Sequence, residues 1–517
     1  LLLKKLLPLF RQLDSIIAAI LGFYFVQALT RHGGIGVSPD SIMYTSVARN
    51  LTQGNGFLQF DAKPLTMFPV AFPYFLHIIM LISGKDIIPI APIVTGLLFA
   101  ATILLAGFII EKAIPKYRII KIIALLLIIT NPALLEVFSM LWSETLFIFL
   151  ITLFSAFQVL YLKNNTFTLL FISAIIAGIA AITRYAGITV IASGCFITFF
   201  AIPQNWKVKW IHTLLFGCIS SSFLIINLLS NFLQSGYLTG KRLPADTSLL
   251  DNLQLYGSVI TGWIGNDAPP LWLALLMGLL LIVASVIFLL FNVFSKNKSS
   301  ITIVSITAAS FLSIYVLFIL VSSTLSNYDD INNRLLSPVV IAFFTLLSII
   351  AAKVLENKSA QFRLNIALFF ILSLLALTEN LTSDKTSLQN NQDAGIGGYA
   401  EDYWKDSEIL YFLKTSAFAD TSKIPIYSND NAAIYYFTGK HAKTLPELTH
   451  ERELDVFVES PTIYVIWLNS GANPDLIEDK ELKTIKNCKP VFTFADGIIY
   501  ECTPIQPPIL ENQDTLK

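Results

Sequence analysis

Residues 167–200 read FTLLFISAIIAGIAAITRYAGITVIASGCFITFF, an apolar run that only Arg184-Tyr185 interrupts. A stretch this long is what two bilayer-crossing helices joined at Arg184 require, at roughly 17 to 25 residues per crossing. Read the same way, the chain offers further spans near 13–31, 87–110, 119–135, 143–162, 211–231, 271–294, 301–323, 335–353 and 364–379. The expected fold is therefore a polytopic α-helical membrane protein with about eleven transmembrane helices. A twelfth run, 68–83, is short and carries Pro69, Pro73 and His77, which suits a helix lying in the interface better than one that crosses.

The parity of the spans follows from the basic residues. Lys4, Lys5 and Arg11, then Lys112, Lys116 and Arg118, Lys163, Lys207 and Lys209, Lys296 and Lys298, and Lys353, Lys358 and Arg363 fall on one side only if 68–83 does not cross. This puts the N-terminus in the cytoplasm and the C-terminus outside, in a multi-pass cytoplasmic (inner) membrane protein. The first loop (32–86), the turns near 136–143, Arg184 and the loops 232–270 and 324–334 then share the outer compartment. The first span reads as a retained anchor, since it is longer than a signal h-region and lacks a small-residue cleavage site.

Composition agrees: 55% of the residues are hydrophobic and only 14% charged. Lys plus Arg equals Asp plus Glu at 35 each, so no basic field points to nucleic acid. Of the four cysteines, Cys195 and Cys218 lie in apolar runs as small core residues. Cys488 and Cys502 flank a hairpin, but a two-residue turn at Asp496-Gly497 would place Cys502 opposite Val491, which argues against a disulfide.

Past residue 380 the chain turns polar, and ENLTSDKTSLQNNQDAGIGG reads as a linker. Beyond it come a helical pattern (402–416), a strand (423–428), a short helix (431–437) closed by Gly439, a buried strand (462–468) and a hairpin near 490–501. The expected division is a transmembrane domain, 1–380, and an extracytoplasmic α/β domain, 381–517. In the latter Tyr399, Trp404 and Tyr436 suit a core as well as a sugar platform.

Charge placed at the outer ends of spans marks the candidate site. Ser38-Pro39-Asp40 has the form of a helix start, with Ser as cap, Pro in the first turn and an acid on the positive end of the dipole. That accounts for the local pattern and leaves open whether Asp40 also does chemistry. Glu144 opens the span 143–162, where an acid must be solvated, paired or used. Glu136 is read as an ordinary interfacial acid. Arg184 and Arg334 sit at outer helix ends, and a planar guanidinium suits a phosphate or a carboxylate. Asp329 and Asp330 are partners within reach of Arg334, and Lys241 and Arg242 read as solvated. The chain has no P-loop, dinucleotide fingerprint, paired zinc histidines or serine nucleophile elbow. Outer acids and arginines above a membrane bundle suit a reaction on an amphiphilic phosphate.

In the order and sidedness of PDSIMYTSVARNLTQGNGF, FPVAFPYFLHIIMLISG, NPALLEVFSMLWSETLFIFL, AITRYAGITV and NNRLLSPVV, the chain resembles the GT-C superfamily of membrane glycosyltransferases. The resemblance is to the bacterial branch related to protein O-mannosyltransferases and lipid A aminoarabinose transferases (glycosyltransferase family 39-like), and it covers most of the membrane part. It implies a polyprenyl-phosphate-linked sugar donor, an envelope glycan, lipid or protein as acceptor, and a first-loop acid, here Asp40, as general base or acceptor-binding carboxylate. It further implies Glu144 as a second acid; a departing lipid phosphate needs cations, for which Arg184 and Arg334 are the candidates, with Tyr185 as a hydrogen-bond donor. No firm cofactor is implied. A divalent metal, which some relatives carry, would here have only His77 and Glu144. The chain departs from the mannosyltransferase pattern at Ser41, where an acid would follow Asp40. Two other readings share these features: a transporter or assembly partner for lipid-linked glycans, and an oligosaccharide ligase or polymerase using a diphosphate-linked donor.

Overall fold

A computed structural model describes residues 12–505 apart from 241–243, 266–267, 357–359, 419–423, 448–450 and 470–475. Lys4, Lys5, Arg11, Lys241, Arg242 and Lys358 lie outside the described residues, as does the Arg363 side chain. The chain divides into two compact units, Leu1–Phe57 with Pro64–Ala400 and Leu58–Lys63 with Glu401–Lys517.

The first unit is helical. Its elements are α1 (Leu13–Leu29), α2 (Pro39–Thr52), α3 (Ala71–Ser83), α4 (Ile87–Ala113), α5 (Arg118–Ile129), α6 (Pro132–Ser139), α7 (Glu144–Asn164), α8 (Phe167–Thr183), α9 (Ile188–Phe200) and α10 (Trp206–Ser235). After them come α11 (Leu249–Gly262), α12 (Leu271–Val293), α13 (Ser300–Leu325), α14 (Val340–Glu356) and α15 (Ala360–Ala394). Among the described residues seven helices are long and apolar enough to cross a bilayer, and α5 with α6, bent by 48°, would make an eighth. The chain is thus a polytopic membrane protein. Every apolar run read as a span is helical, although α1, α8 and the 185–200 helix are shorter than a full crossing. The run 68–83 yields only α3, whose 13 residues rise about 20 Å, less than a bilayer core.

Small residues let these helices approach closely, as membrane packing demands where lipid is as apolar as the protein. At Gly107 of α4 a Cβ would overlap the Ser15 side chain of α1. At that end of the bundle, Lys121 of α5 is buried and pairs with Asp14 at 2.8 Å and Glu111 at 3.2 Å, tying α1, α4 and α5 together.

The opposite end gathers all five segments expected to share one compartment. Trp263 Nε1 donates to Asn333 Oδ1 at 3.0 Å, and Asn231 of α10 donates to the Thr66 carbonyl of the first loop at 3.2 Å. The stretch that delivers α2 is pinned on both sides. Gly36 N donates to the Ser139 carbonyl and Leu141 N to the Gly36 carbonyl, both at 2.9 Å, while Tyr399 N donates to the Val37 carbonyl at 2.8 Å. Gly398 allows the last contact: its φ is +75°, and a Cβ there would overlap the Val37 carbonyl. The polar stretch read as a linker continues α15 as helix to Ala394, and Tyr399 is buried in this clamp.

The second unit holds α16 (Glu408–Thr415), β1 (Ile426–Ser428), α17 (Asn431–Thr438), β2 (Lys443–Thr444), α18 (Glu451–Glu459), β3 (Ile463–Leu468), α19 (Asp479–Ile485), β4 (Lys486–Phe494) and β5 (Gly497–Pro504). The sheet order is β2-β1-β3-β5-β4, with β1 parallel to β2 and β3 and the other pairs antiparallel. Its core contains Val465, Leu482, Tyr500 and Cys502. Trp404 is buried and stacks on Phe437 at 5.7 Å, so it serves packing.

The hairpin corrects one expectation. Its turn is Ala495-Asp496, with Phe494 opposite Gly497, and the register shifts between Pro490 and Phe492. A one-residue bulge at Val491 therefore brings Cys488 opposite Cys502, and the two form a disulfide. Cys195 and Cys218 are free, and Cys218 is exposed rather than in the core. Alkylation of the denatured, unreduced protein should modify Cys195 and Cys218 alone. Cys488→Ser should cost the second unit about 3 kcal/mol, read by chemical denaturation; modification of all four cysteines without reductant would contradict the pairing.

Candidate active site

Four charged residues from four distant parts of the first unit form one chain of ion pairs. Asp40, in the first turn of α2, meets Arg334 Nη2 through Oδ2 at 2.5 Å. Arg334 Nε meets Glu144 Oε1 at 2.5 Å, and Arg184 Nη1 meets the same oxygen at 2.6 Å. The order is Asp40, Arg334, Glu144, Arg184. Arg334 also turns Nη1 toward Asp329 at 3.5 Å.

Each member is positioned by local structure. Ser38 caps α2 and Ser41 returns the bond, Ser41 Oγ accepting from Ser38 N at 3.0 Å. Ser41, standing where the mannosyltransferase pattern has an acid, thus completes the helix start. Arg184 occupies the extended residue between α8 and the 3-10 turn Tyr185–Gly187, which aims its side chain off the helix ends. Arg334 lies in the helical turn Asn333–Leu336, capped by Asn332, whose Oδ1 accepts from Leu335 N at 3.0 Å.

Glu144 is fully buried, whereas the side chains of Arg334 and Arg184 keep 14% and 20% of their surface and that of Asp40 27%. Removing a carboxylate from water costs several kcal/mol unless cations and hydrogen bonds replace the solvent. Two guanidinium groups do so here, and Ser143 Oγ adds a donor to Glu144 Oε2 at 3.3 Å. The arrangement leaves Asp40 and the outward faces of both arginines as the accessible part.

Three neighbours carried no signal in the sequence. The Trp142 ring lies 4.2 Å from the Arg334 guanidinium carbon and its Nε1 donates to Ser38 Oγ at 2.9 Å, joining the cap of α2 to the ion chain. Ser143, the residue before α7, makes no capping bond; its hydroxyl accepts from Arg184 Nη1 at 3.0 Å. Tyr44, buried on α2, places its hydroxyl 3.4 Å from Ser143 Oγ. Burial and the nearby Asp40 and Glu144 charges hold its phenol well above the usual range, so it stays protonated. The only hint was order: Trp142 and Ser143 directly precede the acid.

Other expected members lie elsewhere. The Tyr185 hydroxyl donates to the Thr66 carbonyl at 3.3 Å and accepts from Asn231 Nδ2 at 2.8 Å, so it braces the first loop against α10. His77 Nδ1 bonds Thr52 Oγ1 at 2.9 Å. Among the described residues no group of three or more His, Cys, Asp or Glu is placed to hold a metal ion. Glu144 Oε1 faces two cations, so His77 and Glu144 do not fit a divalent metal. Glu136 is exposed on α6.

No protein-family profile and no curated protein sequence matches the chain. Solved structures do match in shape. ArnT from Cupriavidus metallidurans in the apo state superposes with a TM-score of 0.51 at 13% identity, covering 94% of this chain and 97% of that one. The same protein bound to undecaprenyl phosphate gives 0.50 at 12% with the same coverage. The archaeal oligosaccharyltransferase AglB from Archaeoglobus fulgidus, solved with an inhibitory peptide and a dolichol-phosphate, gives 0.54 at 12%, covering 89% of this chain and 70% of that one. At this identity the likeness is one of fold: the chain shares the fold of ArnT and AglB.

Glu144 is the centre of the ion chain. Glu144→Gln should leave two clustered guanidiniums without their counter-charge and lower stability by about 3–5 kcal/mol. Thermal unfolding in lipid nanodiscs measures this, and an unchanged melting temperature would show that the buried pairs hold nothing together.

Proposed function

We propose that the protein is a glycosyltransferase that moves a sugar from a polyprenyl-phosphate-linked donor to an acceptor hydroxyl at the outer face of the cytoplasmic membrane. The observation that carries the reading is the Asp40–Arg334–Glu144–Arg184 chain, in which a carboxylate and two guanidiniums are partly open above a membrane bundle. The similar ArnT and AglB structures hold undecaprenyl phosphate and a dolichol-phosphate, which supports a lipid phosphate here too.

The chemistry is a single inverting displacement. The acceptor oxygen attacks the anomeric carbon as Asp40 takes its proton, the bond from that carbon to the phosphate oxygen breaks, and polyprenyl phosphate leaves. The leaving group is already an anion, so the site needs cations more than a strong acid. Arg334 and Arg184 supply them. Without substrate Arg334 spends Nη2 on Asp40. A donor phosphate offers that guanidinium a stronger bidentate partner, and its arrival frees Asp40 to accept a proton. Glu144 holds both arginines and Trp142 holds the plane of one. Tyr185 acts at one remove, through the first loop. No step requires a metal.

The disulfide Cys488–Cys502 supports an extracytoplasmic second unit, since such bonds persist in oxidising compartments. With the N-terminus cytoplasmic, that end of the bundle which carries Asp40 then faces outward. The acceptor, an envelope glycan, lipid or protein, approaches from there.

In nanodiscs supplied with polyprenyl-phosphate sugars and envelope extract, Asp40→Asn should cut release of polyprenyl phosphate at least about 100-fold while the protein stays folded. Arg334→Lys, which cannot span both acids, should mainly raise the donor KM, about tenfold. Wild-type release retained in Asp40→Asn would return Asp40 to the role of a first-turn acid on the helix dipole.

A further inference from the structure

A cavity of about 340 Å³ lies between the first loop, the end of α8 and the last turns of α10. Phe57, Leu65 and Phe223 give it apolar walls, and Asn227, Ser230 and Gln234 put neutral polar groups on one face of α10 at helical spacing. None of its described lining residues is charged. Asn227 is 95% buried (5% exposed); its Oδ1 accepts from Val70 N at 3.3 Å, while Nδ2 is buried with no hydrogen-bond partner among the described residues. A buried amide donor left open costs about 1–3 kcal/mol, and polar residues in a membrane helix are costly unless used.

Building on the proposed function, we propose that this groove holds the uncharged sugar of the lipid-linked donor. A phosphate would need cations, which the ion chain has and the groove lacks. An acyl ester would present one acceptor, whereas a sugar presents several oxygens to a row of amides and hydroxyls while its carbons face apolar walls. The donor is favoured over the acceptor by position. α10 buries little of its surface within the protein, so the groove adjoins the lipid side. Asn231 also lines it and donates to the Tyr185 hydroxyl at 2.8 Å, and Tyr185 is the next residue after Arg184. A ligand tethered to the bilayer and to a phosphate at Arg184 meets both conditions.

The test measures binding to the full chain in nanodiscs, using a fluorescent alkyl β-glucoside and the matching alkyl phosphate. Two variants remove the donor: Asn227→Leu, and Asn227→Asp, which keeps the acceptor for Val70 N. Both should raise the glucoside Kd about fivefold, the worth of one hydrogen bond, and leave the alkyl phosphate unchanged. A polyprenyl-phosphate sugar should displace the glucoside, and a soluble acceptor glycan should not. Absent or unaltered glucoside binding, equal weakening of the alkyl phosphate, or displacement by the soluble glycan alone would each overturn the assignment. The same binding measured in Asp40→Asn separates this outcome from failure of the catalytic reading, because that variant leaves the groove intact.

Discussion

The Glu144 carboxylate, with no exposed surface, is the constraint around which the open end of the membrane unit is arranged. An acid in that position is tolerable only if cations arrive from elsewhere, and the chain brings one from the α8–α9 junction and one from the turn before α14. Those two arrivals fix the relative placement of three segments far apart in sequence. Asp40 then takes its position from Arg334 and from the Trp142 bond to the cap of its own helix. The site is thus assembled outward from a buried anion, with the accessible carboxylate last in line.

How much of this was legible in the sequence differs by element, for physical reasons. Apolar runs report membrane helices directly, because lipid leaves few other choices for the backbone; each of the runs read as a span is helical. Asp40, Glu144, Arg184 and Arg334 stood out because charge at the ends of apolar helices is costly, and the structure brings all four into one ion chain. Tyr185 was drawn in only by adjacency to Arg184, and successive residues at the end of a helix point in different directions. Trp142, Ser143 and Tyr44 gave no signal, since an aromatic or a hydroxyl in an apolar setting is ordinary composition, and only tertiary contact gives each its role.

Register was the least readable property. Counting across the hairpin from an assumed Asp496-Gly497 turn put Cys502 opposite Val491, and both the turn and the strand differ from that count. A bulge is invisible to alternation rules because it inserts one residue without changing the pattern on either side. The polar stretch after residue 380 failed for the opposite reason. Its composition suits a loop, yet it continues a helix already nucleated by the apolar run before it, and extending a helix costs far less than starting one.

The Val37–Tyr399 clamp has a consequence for the order of events in synthesis. The backbone that leads into Asp40 is held on one side by residues 139–141, in the first third of the chain, and on the other by residues 398–399, near the far end of the membrane unit. A ribosome delivers these partners at widely separated times, and domains settle as their sequence emerges. The acid therefore gains its first support early and its second only when the whole helical bundle has been inserted. A chain halted before Gly398 would carry every charged member of the ion chain and still lack one wall of the strand that aims Asp40.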